Sequence, residues 1–288
     1  MIGFTKIDKG ASGYPDPLLR LSDCPDFIYL AGEIIPQDEL SIAVVGTRKM
    51  SSYGRDVCAE LVTELSSLGI TIVSGLMYGV DLAAHNAALK AGGRTIGVLG
   101  FGVDNIDLVH DKSIVEEIVG GGKGAILTEF ECDQPPTAWT FPKRDRLIAA
   151  LAKAVLVIEA AEKSGTNYTV GAALDLGKEV LSVPGSIFSG VSKGTNRMIK
   201  DGAKMVCGIE DVLEVLDLDS GRRSVEFKSR SPVSKEEEHL LSALDNEIYV
   251  DDLALKATLD VSKVMALLTS LELKGMVKDM GRGFYRKV

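Results

Sequence analysis

The residues able to do chemistry fall in short turns that combine glycine with a hydroxyl or basic side chain. VGTR places Gly46, Thr47 and Arg48 directly after the apolar run IAVV (42–45). Glycine lets the chain turn sharply and lets a ligand approach the backbone, and an arginine can fork onto a phosphate with two parallel hydrogen bonds. SGLMYGVD supplies Ser74, Gly75, Gly79 and Asp81, and LGFGVD supplies Gly100 and Gly102. FPKRDR gathers Lys143, Arg144 and Arg146 into four residues, and EKSGTNYT brings Lys163, Ser164, Gly165 and Thr166 to the start of a predicted helix. SKGTN, after a VPG turn, carries Lys193, Gly194 and Asn196. Helix N-termini with free N–H groups, together with basic and hydroxyl side chains, favour phosphate. Glu129 and Glu159 lack an acid–base or metal partner at short spacing and read as structural. His85, four residues after Asp81, reads as a helix-side hydrogen bond or core contact.

Strands and helices must aim these turns. Apolar runs at 42–45, 71–73, 95–99, 125–127, 154–159 and 180–183 alternate with helical patterns near 53–68, 80–91, 111–119, 145–152 and 166–176. The runs are nearly continuous in apolar character, as strands buried on both faces are. The alternation predicts an α/β fold, a doubly wound and mostly parallel sheet over 41–216, with ligands at the carboxyl ends of its strands. Residues 1–40, with Pro15, Pro17, Pro25 and Pro36, read as an irregular N-terminal extension packed on this domain. The polar stretch 217–233 reads as a linker. Residues 234–288 read as three helices and a strand pair around Gly281 and Gly283, the plan of a small winged-helix domain. Its candidate recognition helix offers one early basic residue, Lys263, and acidic runs occupy 236–238 and 251–252. That composition favours a protein-contact or regulatory role over duplex binding.

The 288 residues carry a net charge of −9, which opposes nonspecific binding to nucleic acid and requires a local basic pocket for any such partner. Four scattered cysteines without a CxxC pair argue against a disulfide framework or a cysteine zinc site and fit a reducing cytosol. No apolar run reaches the ~20 residues of a membrane span, and the N-terminus lacks a signal-peptide pattern, so a cytoplasmic protein without a membrane partner is expected. No cofactor or metal is expected.

The ordered series YPDPLL (14–19), VGTRKMSSYG (45–54), IVSGLMYGVDLAAH (72–85), VLGFGVD (98–104), TEF (128–130), FPKRDRLIAAL (141–151), VIEAAEKSGTNYT (157–169), VPG (183–185), KGTN (193–196) and DGA (201–203) resembles the DNA-processing protein A (DprA or Smf) family. The resemblance implies an extended Rossmann-like fold that binds single-stranded DNA in a positively charged pocket, protects incoming strands in natural transformation, and loads a RecA-type recombinase on them. It further implies a homodimer and no catalysis. By motif, Arg48 resembles the pocket arginine of the family, Lys143, Arg144 and Arg146 its second basic element, and Lys163–Thr166 its phosphate-facing loop. The DNA-binding set expected from turns and resemblance together also includes Gly46, Thr47, Ser74, Gly75, Lys193 and Asn196. Phe141, Trp139 and Tyr168 are candidates for stacking on a base.

The sequence departs from the family at three places. Its usual Arg-Asn-Arg reads Arg144-Asp145-Arg146, the Tyr-Pro after the GVD turn is replaced by NIDLVH, and a helical N-terminal domain is missing. Two rival readings remain at this level. A nucleotide phosphoribohydrolase-like enzyme needs a glutamate in the first turn of the helix where Thr169 stands. A nucleotide-ligand sensor acting through the winged helix would use the same turns for a smaller ligand.

Overall fold

The middle strands of the main unit are buried along their whole length, which is why they read as unbroken apolar runs. In chain order the unit comprises β1 (Thr5–Asp8), β2 (Phe27–Gly32), β3 (Ser41–Val45), α1 (Ser52–Ser67), β4 (Thr71–Gly75), α2 (Val80–Lys90), β5 (Thr95–Val98), α3 (Lys112–Gly120), β6 (Gly124–Thr128), α4 (Thr140–Leu151), β7 (Ala154–Val157), α5 (Thr166–Asp175), β8 (Glu179–Ser182), α6 (Lys193–Lys200), β9 (Lys204–Met205) and α7 (Ile209–Val215). These elements belong to a computed structural model that describes residues 2–218, 234–244, 247–273, 276–281 and 283–287. The chain divides into two units, Met1–Arg222 and Arg223–Val288.

One nine-stranded sheet runs β1-β2-β6-β5-β4-β3-β7-β8-β9. The pairs from β6 through β9 are parallel, whereas β1–β2 and β2–β6 are antiparallel. The segment read as an irregular extension therefore supplies two strands that continue the sheet past β6. Strand alternation sends Ala43 and Val45 into one core layer with Leu147 and Ile148, and Ile42 and Val44 into the other with Val62 and Val80. Strand order reverses between β3 and β7, a topological switch point, where a ligand crevice is expected outside the carboxyl ends.

Helix α4 begins at Thr140 rather than near 145, so FPKRDR is helical, with Pro142 tolerated in the first turn where no i→i−4 bond is lost. Its other end is capped by a side chain from the turn before β8. The Lys178 ammonium donates to the carbonyls of Ala149 (2.9 Å), Ala150 (2.7 Å) and Ala152 (2.5 Å), where the helix dipole also favours a cation. Lys178→Met is expected to cost about 2 kcal/mol, because three carbonyls lose a charged donor. A urea titration checks this, and an unchanged midpoint would contradict it.

The second unit contains α8 (Lys235–Ala243), β10 (Ile248–Tyr249), α9 (Val250–Ala257), α10 (Val261–Leu273), β11 (Val277–Gly281) and β12 (Phe284–Lys287). Its sheet order β10-β12-β11 adds one strand to the expected plan, and Leu240, Leu253, Val264, Leu268 and Tyr285 build its own core. This is a winged-helix arrangement. The linker read at 217–233 lies, from residue 219, outside the described residues.

Candidate nucleic-acid interface

The turn after β3 is fixed by its neighbours on both sides of the switch point. Thr47 N–H donates to the Glu159 carbonyl after β7 (2.7 Å), and the Thr47 carbonyl accepts from Val80 N–H at the start of α2 (3.3 Å). A side chain at Gly46 would put its Cβ 2.7 Å from Val80 Cγ2 and 2.8 Å from the Glu159 carbonyl oxygen. Gly46 is thus demanded by protein packing and not by ligand approach. Glu159 accepts from the backbone N–H (2.8 Å) and hydroxyl (2.6 Å) of Ser51, the N-cap of α1, so it holds that helix start. Its structural reading fits this geometry.

Arg144 projects from α4 toward the sheet and is 4% exposed. Its Nε donates to Asp145 Oδ1 (3.0 Å), and Nη1 donates to the Val98 carbonyl. Gly75 leaves room for it: a Cβ there would lie 2.6 Å from Arg144 Nη1 and would also strike the Asp81 carboxylate. Burial pushes the Asp81 carboxyl up to about 6, although Arg144 pulls it down. Burial likewise raises Asp145, against Arg144 and Arg48. His85, behind this cluster, is pushed down to about 4 by burial and is neutral; its ring nitrogens meet Thr95 Oγ1 (2.7 Å) and the Gly75 carbonyl (2.6 Å).

A cavity of about 460 Å³ opens at the switch point. Gly46, Thr47 and Arg48 line it from the β3 turn, Arg144 from α4, and Lys163, Ser164, Gly165 and Thr166 from the turn entering α5. Arg48 is exposed and makes no ion pair among the described residues; its guanidinium lies 5.0 Å from the Phe141 ring centroid and 5.8 Å from that of Tyr78. Lys163 is also exposed, and Tyr168, at the edge of the cavity, is 58% exposed. The start of α5 is less open than the sequence suggests. Thr166 N–H donates to Ser164 Oγ (3.3 Å), Asn167 N–H to the Ser164 carbonyl (3.2 Å) and Tyr168 N–H to the Gly165 carbonyl (3.0 Å). Side chains, rather than those three N–H groups, are the free donors here.

The remaining expected residues lie outside this cavity. Ser74 is fully buried and donates to the Val44 carbonyl (2.6 Å), tying β4 to β3. Lys143 pairs with Glu129 (3.6 Å), and Arg146 bonds Glu129 (2.6 Å) and Asp23 (2.7 Å), both facing a separate cleft that also holds Asp26 and Glu131. Lys193 is exposed at the start of α6, while Asn196 clamps Gly185 through its N–H (3.1 Å) and carbonyl (2.9 Å). Sequence reasoning left Met77, Tyr78, Asp81 and Asp145 out of the site. Asp81 had a usable signal, as an acid in the first turn of a helix that starts at a strand's carboxyl end. Among the described residues no His, Cys, Asp and Glu cluster is arranged to hold a metal, and no helix is long and apolar enough to cross a membrane.

Comparison with known proteins adds independent findings. The family model for DNA recombination-mediator protein A matches residues 6–217, and that for the DprA winged helix domain matches residues 228–281. The chain is similar to Protein Smf of Escherichia coli (36% identity, 95% of this chain and 75% of the relative). It is also similar to DNA processing protein DprA of Bacillus subtilis (34% identity, 74% of this chain and 72% of the relative). Among solved structures, DNA processing protein A from Streptococcus pneumoniae matches with a TM-score of 0.66 at 34% identity, covering 73% of this chain and 74% of the other. DNA processing protein A from Helicobacter pylori, which binds single-stranded DNA, matches with a TM-score of 0.64 at 28% identity, covering 75% of this chain and 96% of the other.

Proposed function

The chain belongs to the DNA recombination-mediator protein A family, and from that membership we propose that it binds single-stranded DNA through the switch-point cavity. The observation that carries this reading is Arg48: an exposed guanidinium held over the cavity by two aromatic faces, which acts on Asp145 through its charge but forms no ion pair among the described residues. Arg48 and Lys163 hold phosphate at the rim, and Phe141, Tyr78 and Tyr168 offer ring faces to unstacked bases. Single strands are preferred because a duplex keeps its base faces covered. With two cations engaging phosphate, the affinity falls roughly sevenfold between 50 and 200 mM salt, a shallow dependence that suits a protein of net charge −9.

The chain acts by binding rather than by catalysis, and the position where the hydrolase reading needs a glutamate holds Thr169, 2% exposed. The family's description as a recombination mediator supports a second step, in which the protein shields incoming strands in the cytoplasm during natural transformation and passes them to a RecA-type recombinase. The protein works as a homodimer. The winged-helix domain contacts protein rather than duplex DNA: Lys263, near the start of α10, is already paired with Glu236 (2.5 Å).

Fluorescence anisotropy with a labelled oligo-dC strand and its duplex, at both salt concentrations, tests the reading. Tighter single-strand binding with the shallow salt slope supports it; equal or tighter duplex binding refutes it. The cavity's acids add a pH dependence. Asp81 is ionised above about 6 and repels an incoming phosphate, and below that value it is neutral. Affinity therefore rises as pH falls from 7.5 to 5.5, by roughly threefold, and Asp81→Asn flattens the curve. A flat wild-type curve would remove Asp81 from the site.

A further inference from the structure

The second unit divides its charge between its helices and its sheet. Residues 235–273 hold nine acidic side chains against three lysines, whereas residues 277–287 hold four basic side chains against one acid. Register and burial show where that positive charge lies. In β12 Tyr285 is buried, and its neighbours Phe284 and Arg286 alternate to the opposite, solvent face. Tyr249 of β10 is the cross-strand partner of Phe284, and Lys278 of β11 that of Arg286. Two rings and two cations thus share one face of the sheet. The one acid of β11 and β12, Asp279, is the partner of the buried Tyr285, on the other face, and its Oδ1 accepts from Gly281 N–H (2.7 Å). The Tyr249 and Phe284 rings lie 5.3 Å apart at 57° and are 38% and 39% exposed. Gly283 seats the Tyr249 ring: its φ is +82°, and a Cβ there would lie 2.8 Å from Tyr249 Cε2.

We propose that this solvent face of the winged-helix sheet is a second contact for single-stranded DNA, in which Tyr249 and Phe284 stack on bases while Lys278 and Arg286 hold phosphate. The inference deepens the single-strand reading above and rests on it for the ligand. An exposed sheet that carries ring faces is a recurrent platform for unstacked bases, with nearby cations on the backbone. Like charges directly across two strands repel, and a phosphate over both offsets that repulsion. A duplex keeps its base faces covered and leaves the rings unused. An acidic peptide satisfies the two cations but offers nothing flat to both rings, so a single strand is the occupant that matches the whole face. Helix α10 packs on the other side of the sheet, where Tyr285 OH lies 3.8 Å from Met265 Sδ. The contact is therefore separate from the recognition helix.

The test is anisotropy with labelled oligo-dC on the full chain carrying Arg48→Ala, which weakens the cavity contact and leaves the sheet face to be read. Residual binding persists at low salt. It falls roughly tenfold further when Phe284→Ala is added, the effect of losing one base–ring stack. Adding Lys278→Gln and Arg286→Gln instead removes two phosphate contacts, and the fall in residual affinity between 50 and 200 mM salt becomes roughly sevenfold shallower. The charge variant decides the matter if Phe284→Ala misfolds. Residual binding that neither change alters, or no residual binding at all in Arg48→Ala, would overturn the sheet face as a DNA site while leaving the cavity reading intact. A labelled oligo-glutamate peptide that binds through these residues where oligo-dC does not would overturn the choice of ligand. Failure of the wild-type chain to bind any strand would overturn the single-strand reading and this inference with it.

Discussion

Arg48→Ala lowers the affinity for single strands by roughly 10- to 100-fold while the melting temperature stays within about 2 °C of wild type. The affinity loss follows from the removal of a charge-assisted, two-pronged phosphate contact, with each tenfold corresponding to about 1.4 kcal/mol. The small stability effect follows from exposure. Arg48 has no ion pair to break among the described residues, and its contacts with Phe141 and Tyr78 are surface cation–π contacts of about 0.5–1 kcal/mol. Arg48→Lys recovers only part of the binding, since an ammonium neither stacks on the ring faces nor forks onto phosphate. Anisotropy with parallel thermal melts separates the two effects. Unchanged affinity in Arg48→Ala would place the DNA contact elsewhere.

The neighbouring Arg144→Met behaves in the opposite way and loses about 3–5 kcal/mol of stability. Arg144 is buried between Asp145, Asp81 and the Val98 carbonyl, and its removal takes the counter-charge from Asp81 and the larger of two from Asp145, which keeps Arg48. The sign of the pH dependence follows from Asp81. Its folded-state value, about 6, is above its ordinary 3.8, so folding is favoured when Asp81 is protonated and penalised as pH rises through the folded value. Loss of Arg144 raises that value further and deepens the penalty at neutral pH. The stability gap between variant and wild type therefore narrows as pH falls from 7.5 to 5. Urea titrations at the two pH values measure it, and a gap that is constant or widens in acid would contradict this role.

The contrast between these two arginines shows where the sequence was readable. Gly46–Arg48 and Lys163–Thr166 follow strands whose apolar runs are plain, so their meeting at one sheet edge could be expected. The FPKRDR cluster could not be resolved in the same way while its residues were taken together. Helical spacing of about 100° per residue puts Lys143 and Arg146 roughly 60° apart and Arg144 on another side. One helix start thus feeds two sites: Arg144 enters the cavity, and Lys143 and Arg146 face the acid-lined cleft with Glu129. The helix start itself was hidden by Pro142, which usually signals a break but is harmless in a first turn.

The edges of the sheet were hidden for a different reason. β1 is four residues long and largely exposed, and β9 has two residues, both exposed, so neither carries the apolar run of a doubly covered strand. The glycine turns were recognised, but their purpose differs from place to place. Gly46 and Gly75 make room for protein atoms, whereas a Cβ at Gly165 would meet nothing within 4 Å. Only the last of these opens space for a ligand.

The most direct test of the central claim is to locate the bound strand. A single-stranded oligonucleotide carrying one 5-iodo-deoxycytidine is photocrosslinked to the full chain, and the modified residue is identified by mass spectrometry. Adducts on Phe141, Tyr78 or Tyr168, abolished by Arg48→Ala, are the predicted result. Adducts confined to residues 234–288, or to the cleft of Lys143 and Arg146, would contradict the assignment of the switch-point cavity as the DNA site.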